Sequence, residues 1–128
     1  MKDEVRLKHL IYVGLGGAAG SILRYAVSRW ALKAFPFAGL PMGTLLVNVL
    51  GCFILGLLAG LAESRDLISN ELRLLLMVGL LGGFTTFSTF GYETLDLTRE
   101  SERWAPFLYV GLSVCVGVFA AWMGNLVG

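Results

Sequence analysis

Residues 82–93 read GGFTTFSTFGYE, and how this stretch is read decides the fold. It begins eight residues into an apolar run, 74–95, that is long enough to cross a bilayer at about 1.5 Å per residue. Phe84, Phe87 and Phe90 recur every third position, so a continuous helix would align them along one face. Thr85, Thr86, Ser88 and Thr89 fill the positions between them. Paired glycines beside β-branched residues lower helix propensity. A break near 82–86 is therefore expected, and a break inside a membrane must find partners for the backbone groups it releases. An unbroken helix packing its phenylalanines against lipid would explain the rings but not the hydroxyls.

Outward from this segment the chain is equally apolar. Of 128 residues, 56% are hydrophobic and 15% charged, with a mean hydropathy of +0.75, a balance foreign to soluble domains. Four nearly charge-free stretches, about 10–32, 42–62, 74–95 and 104–127, each suffice to span a membrane. Most ionisable residues fall between them, in LKAFPFAGLP, ESRDLISNELR and DLTRESER. The expected architecture is an all-α membrane protein: one domain, 1–128, of four transmembrane helices, with no room for a soluble catalytic domain. Lys2, Arg6 and Lys8 before the first run resemble a signal peptide, but the run is too long and carries Arg24, so a retained helix is expected. Cys52 and Cys115 lie in mid-span and read as small packing residues. His9 has no companion ligand for a metal. Nothing points to nucleic acid.

Charge placement gives a further expectation. Four spans put Lys2, Arg6, Lys8, Arg65 and Arg73 on one side and Arg24, Arg29, Lys33, Arg99 and Arg103 on the other, dividing the ten cations equally. Orientation normally follows an excess of cationic residues in cytoplasmic loops. Without one, the chain carries no strong instruction for insertion, which suggests dual topology and an antiparallel homodimer. Seventeen glycines, including the pairs Gly16/Gly20, Gly56/Gly60 and Gly79/Gly83, form small-xxx-small faces that let helix backbones approach closely. So many small faces on four short helices also point to an oligomer. Helix starts are expected after Pro41, at Asn70–Glu71 and near Trp104–Pro106.

Polar side chains within spans carry the functional expectation. Thr44 and Asn48 share a face of the second helix; Asn48 also fits the bland role of interhelical glue. Tyr109 and Ser113 begin a narrow stripe on the fourth helix that continues through Gly117 and Ala121, though Tyr109 could anchor at the interface and Ser113 bond back to its own helix. Arg24 either snorkels to the interface or draws anions to the mouth of a path. Glu93 and Asp96 lie toward the end of the third helix, and no span has a carboxylate near its centre. That counts against a proton-coupled exporter of cationic compounds. Uncharged donors and ring edges, the positive part of the aromatic quadrupole, suit a small anion.

GGAAGSILRY, GTLLVNVLGCFILG and GLLGGFTTFSTF, in this order and spacing, resemble the Fluc family of fluoride channels, also called CrcB proteins. The resemblance covers almost the whole chain. It implies a passive fluoride-selective channel of the cell membrane that relieves fluoride toxicity, with two pores in an antiparallel dual-topology dimer and a central sodium ion. In that family's terms Asn48 is the pore asparagine, and Phe87 and Phe90 are the rings that face fluoride. Ser88, Thr89, Tyr109 and Ser113 match polar positions along the path, which Thr44 is expected to join from its shared face with Asn48, and Arg24 stands at the vestibule. Gly82 and Thr85 would offer carbonyls to sodium. Gly117 and Ala121 depart from members whose hydroxyl track runs further along the fourth helix. Two other classes remain open at this point: a small multidrug-type transporter, and a non-transporting assembly subunit.

Overall fold

A computed structural model describes residues 1–36, 39–100 and 102–128. Phe37, Ala38 and Ser101, in the first and last connections, lie outside the described residues. Helix α1 (Lys2–Ala34) begins well before the expected 10–32. Asp3 and Glu4 sit in its first turn and Lys33 in its last, where each offsets the helix dipole and lets the charged end stay helical. Helix α2 (Met42–Arg65) starts directly after Pro41 and stops where Asp66 turns left-handed, φ 50°. The third span opens with α3 (Asn70–Arg73), whose cap is Ser69 rather than Asn70: the Ser69 hydroxyl accepts from the Leu72 amide at 3.2 Å. The helix then widens into a π-helical stretch, Leu74–Leu81, and ends in the short α4 (Gly82–Phe84). Thr85 is extended, ψ 158°, and α5 (Phe87–Glu100) follows after Thr86. Helix α6 (Ala105–Val127) carries Pro106 in its first turn, where a missing N–H costs nothing.

Among the described residues four helical segments are long and apolar enough to cross a membrane: Lys2–Ala34, Met42–Arg65, Asn70–Glu100 and Ala105–Val127. The chain is a multi-pass membrane protein. Its large apolar side chains accordingly face outward, as in Ile22, Phe87, Phe107 and Val118.

Close backbone contact organises the spans into two parallel pairs. Gly16, Gly20, Gly79 and Gly83 press α1 against the third span; a Cβ on Gly83 would lie 2.6 Å from the Gly17 carbonyl oxygen. Gly56, Gly60, Gly124 and Gly128 do the same between α2 and α6, where a Cβ on Gly60 would lie 2.6 Å from the Asn125 carbonyl oxygen. These glycine faces are therefore spent within one chain. Gly14, Gly82, Gly91 and Gly111, by contrast, face open space. At the far end Leu97, Ala105 and Tyr109 form a small core against Leu40, Leu45 and Phe90, which seats α5 between α2 and α6.

Candidate functional site

The site grows from the interruption at Thr85–Thr86. In a continuous helix the Thr86 N–H would bond to the Gly82 carbonyl. Here it is taken by Asn48 Oδ1 at 2.8 Å, while Asn48 Nδ2 donates back to the Thr86 carbonyl at 3.0 Å. One side-chain amide thus holds both polar groups of one backbone residue, replacing what the helix lost. Next along, Thr86 Oγ1 accepts from the Thr89 amide at 3.3 Å, starting α5 as a cap would, and donates to Thr89 Oγ1 at 3.1 Å. The Thr89 N–H is therefore unavailable to the Thr85 carbonyl. On the other side of the gap, the Leu81 carbonyl accepts both the amide and the hydroxyl of Thr85, at 3.0 and 2.9 Å. Arg24 Nε donates to the Gly83 carbonyl at 3.1 Å. Gly51 makes room for this local fold, because a Cβ there would collide with the Thr85 methyl.

Two hollows meet at Thr86. One is a mainly apolar groove of about 350 Å³ lined by Asn48, Thr85, Thr86, Phe87, Phe90 and Ser113, among others. Its rings are paired: Phe87 and Phe90 have centroids 5.7 Å apart, and Phe90 lies 5.2 Å from Tyr109. Ser113 Oγ is buried in this groove and, among the described residues, has no hydrogen-bond partner. A buried hydroxyl without a partner costs free energy, and such exceptions call for a functional explanation. The second hollow is more polar, bounded by Ser21, Arg24, Ser28, Thr44, Thr89 and Glu93.

Glu93 is the residue that sequence reasoning undervalued. Its Oε1 accepts from Thr44 Oγ1 at 2.8 Å and its Oε2 from the Tyr109 hydroxyl at 2.8 Å. Thr44 is 5% exposed and Tyr109 fully buried, so the carboxylate is drawn in among three helices. The sequence places Glu93 toward the end of the third helix, and the structure adds that it is drawn against α2 and α6 there. Thr44 and Tyr109 were expected to offer protons to an ion, but here both protons are committed to Glu93. Thr86, also outside the expected set, matters through its backbone as much as its side chain. A motif read by side-chain type hides that role.

The other expected residues divide clearly. Asn48, Phe87, Phe90 and Ser113 share the first hollow; Arg24, Thr44 and Thr89 share the second. Ser88 lines neither and stays exposed, 3.5 Å from Thr86 Oγ1. Gly82 and Thr85 border the first hollow. The three phenylalanines do not share one face: Phe84 is buried before the interruption, whereas Phe87, after it, is 83% exposed. Among the described residues no group of three or more His, Cys, Asp or Glu could hold a metal, so a cation here would rely on backbone oxygens.

Comparison with known proteins gives a consistent result. Residues 11–125 match the family described as "CrcB-like protein, Camphor Resistance (CrcB)". The chain is similar to the "Fluoride-specific ion channel FluC" of Rhizobium etli (strain CIAT 652), 48% identical over 88% of this chain and 89% of that protein. It is also similar to "Fluoride-specific ion channel FluC 1" of Methanosarcina acetivorans, 40% identical over 91% of this chain and 88% of the relative. The Flavobacterium psychrophilum protein of the same name is 36% identical over 94% and 97%.

Proposed function

The chain belongs to the CrcB family, and from that premise we propose that it is a passive, fluoride-selective ion channel rather than an enzyme. The observation that carries this reading is the unpartnered Ser113 hydroxyl, buried beside Phe87 and Phe90 in the groove at the helix interruption. Fluoride is small and holds its water strongly, so a path must offer replacement donors without trapping the ion. A hydroxyl with no internal acceptor can turn its proton toward an anion at no cost in broken bonds. Ring edges add weak positive potential. Asn48 has one amide N–H beyond the one it gives Thr86, and Asn48 lines the same groove. Chloride, larger and a poorer acceptor, gains less from so few donors. With no formal cation lining this groove, the ion is not bound too tightly to leave.

We extend the reading to an antiparallel dual-topology homodimer in the cell membrane, exporting fluoride from the cytoplasm through two pores. Equal division of the cationic residues supports it, as does the exposure of Phe87, a ring that a second copy would cover. A sodium ion fits the interruption. The donors that would close on the Gly82 and Thr85 carbonyls are diverted to Asn48 and to Thr86 Oγ1, which frees both oxygens for a hard cation. Bound there, sodium would supply positive charge that offsets the released carbonyl dipoles. Asn48 and the Thr86 hydroxyl keep those carbonyls available; that is the contribution of this chain.

The alternative of a proton-coupled cation transporter can no longer be set aside for want of a carboxylate, because Glu93 is inside. Family membership favours the channel, and each Glu93 oxygen accepts a hydrogen bond from within the chain, from Thr44 and from Tyr109. Liposome efflux read by a fluoride electrode tests the proposal. Purified protein is expected to release fluoride at least about a hundredfold faster than chloride, a discrimination of roughly 2.7 kcal/mol. Asn48→Asp and Phe87→Ile should each abolish that flux. Equal chloride efflux, or proton-coupled uptake of an organic cation, would overturn it.

A further inference from the structure

We propose that Arg24 is a positioning residue for the helix interruption, acting through the donor at Nε rather than through its charge alone. This inference rests on the sodium reading above and deepens it. Four carbonyls around the gap lose the donors a continuous helix would give them, those of Gly82, Gly83, Phe84 and Thr85. Arg24 Nε occupies that of Gly83 at 3.1 Å. A guanidinium on the Gly83 oxygen ties the backbone of the interruption to α1 and denies that oxygen to any other cation.

The placement follows from how α1 meets the third span. Gly17 and Gly20 contact the region of Gly83 and Phe84 through backbone alone, so neither can supply a donor. Arg24 stands one turn after Gly20, and helical side chains lean toward the N-terminus of their helix. It therefore reaches back to Gly83, the point where close backbone contact ends. Arg24 also borders the polar hollow that holds Glu93, yet among the described residues the two form no ion pair. Glu93 spends both oxygens on Thr44 and Tyr109. A role as a simple counter-ion to Glu93 is thus not what fixes the arginine.

Side-chain geometry supplies a clean test. Counted along the side chain, glutamine carries its amide nitrogen at the position of arginine Nε; lysine has a methylene there and its charge one atom further; methionine has neither donor nor charge. In liposomes with graded sodium, Arg24→Gln is expected to keep the half-maximal sodium concentration for fluoride efflux within about threefold of the wild type. Arg24→Lys and Arg24→Met should raise it about tenfold, the loss of one charge-assisted hydrogen bond. Hydrogen exchange over residues 82–89 should quicken in the lysine and methionine variants and not in the glutamine variant. If lysine behaves as wild type while glutamine fails, charge alone matters and the proposal is overturned. Identical sodium curves and exchange in all three variants would overturn it too. If wild-type efflux ignores sodium, the sodium reading fails by itself, and the exchange pattern still decides whether Arg24 positions the gap.

Discussion

The two parallel helix pairs use the same device to opposite ends. Between α2 and α6, Gly56 meets Ala121, Gly60 meets Asn125, Gly124 meets Phe53 and Gly128 meets Leu57. Both helices stay regular through this ladder. Between α1 and the third span, Gly16, Gly20, Gly79 and Gly83 build a comparable ladder, but the third span is π-wound over Leu74–Leu81 and interrupted after Phe84. Beyond the last glycine contact, polar side chains take over: Arg24 from α1 and Asn48 from α2 reach the backbone around the gap. Small residues set how closely helices approach. They do not decide whether a helix continues. That decision belongs to the side chains that offer its backbone another partner.

The largest expected effect is shared by both pairs. Gly20→Leu and Gly56→Leu each drive a side chain into a carbonyl of the neighbouring helix, Leu80 in one case and Ala121 in the other. Backbone cannot yield as a flexible side chain can, so the cost should exceed the roughly 1–3 kcal/mol of ordinary overpacking. Neither variant is expected to elute as a single species on size-exclusion chromatography. Gly14→Leu, with open space at its Cβ, should behave as wild type. If Gly20→Leu were tolerated and Gly56→Leu were not, the π-wound span would be the more yielding partner, and the equivalence of the two ladders would fail.

This contrast also marks what sequence could reveal. Charge-free runs, Pro41 and Pro106 locate the spans because burial in lipid constrains every residue of a span alike. Cap and dipole effects carried α1 back to Lys2 and moved the third-span cap to Ser69, since single hydrogen bonds and charges act below the resolution of a hydropathy window. Glu93 looked peripheral because its place depends on two partners, Thr44 and Tyr109, separated from it by 49 and 16 positions. Thr86 does not stand out by side-chain type, because its amide is what Asn48 holds. Glycine spacing was visible, but whether its partner lay in the same chain was a question only tertiary contact answers.

An intermediate effect separates function from packing at the gap. Ser113→Ala removes a buried hydroxyl that has no partner. Stability should hold or rise slightly, by up to about 1 kcal/mol, because the desolvation cost disappears. Fluoride efflux should fall about tenfold, the loss of one hydrogen bond to a charged ligand. Unfolding in graded detergent mixtures and electrode efflux would be measured on the same preparation. A fall in stability with unchanged flux would place Ser113 in the packing, as one more element of the regular pair.

The smallest effect bears most directly on the comparison. Ser64 Oγ donates to the Gly60 carbonyl at 2.7 Å and, at 3.2 Å, to the Gly128 carbonyl. Among the described residues it is the side-chain hydrogen bond that links α2 to α6, as Arg24 and Asn48 link α1 and α2 to the third span. If the regular pair is held by backbone contact, Ser64→Ala should cost less than about 1 kcal/mol, because the exposed bond to Gly128 exchanges with water and the other acceptor, Gly60, belongs to the same helix as Ser64. Fluoride efflux should not change. Asn48→Asp is the matching change at the gap, and there one oxygen set against the Thr86 carbonyl is enough to misplace the released backbone. A Ser64→Ala variant that lost flux as Asn48→Asp does would mean that both pairs depend on side-chain clamps, and the division between them would be one of position rather than of kind.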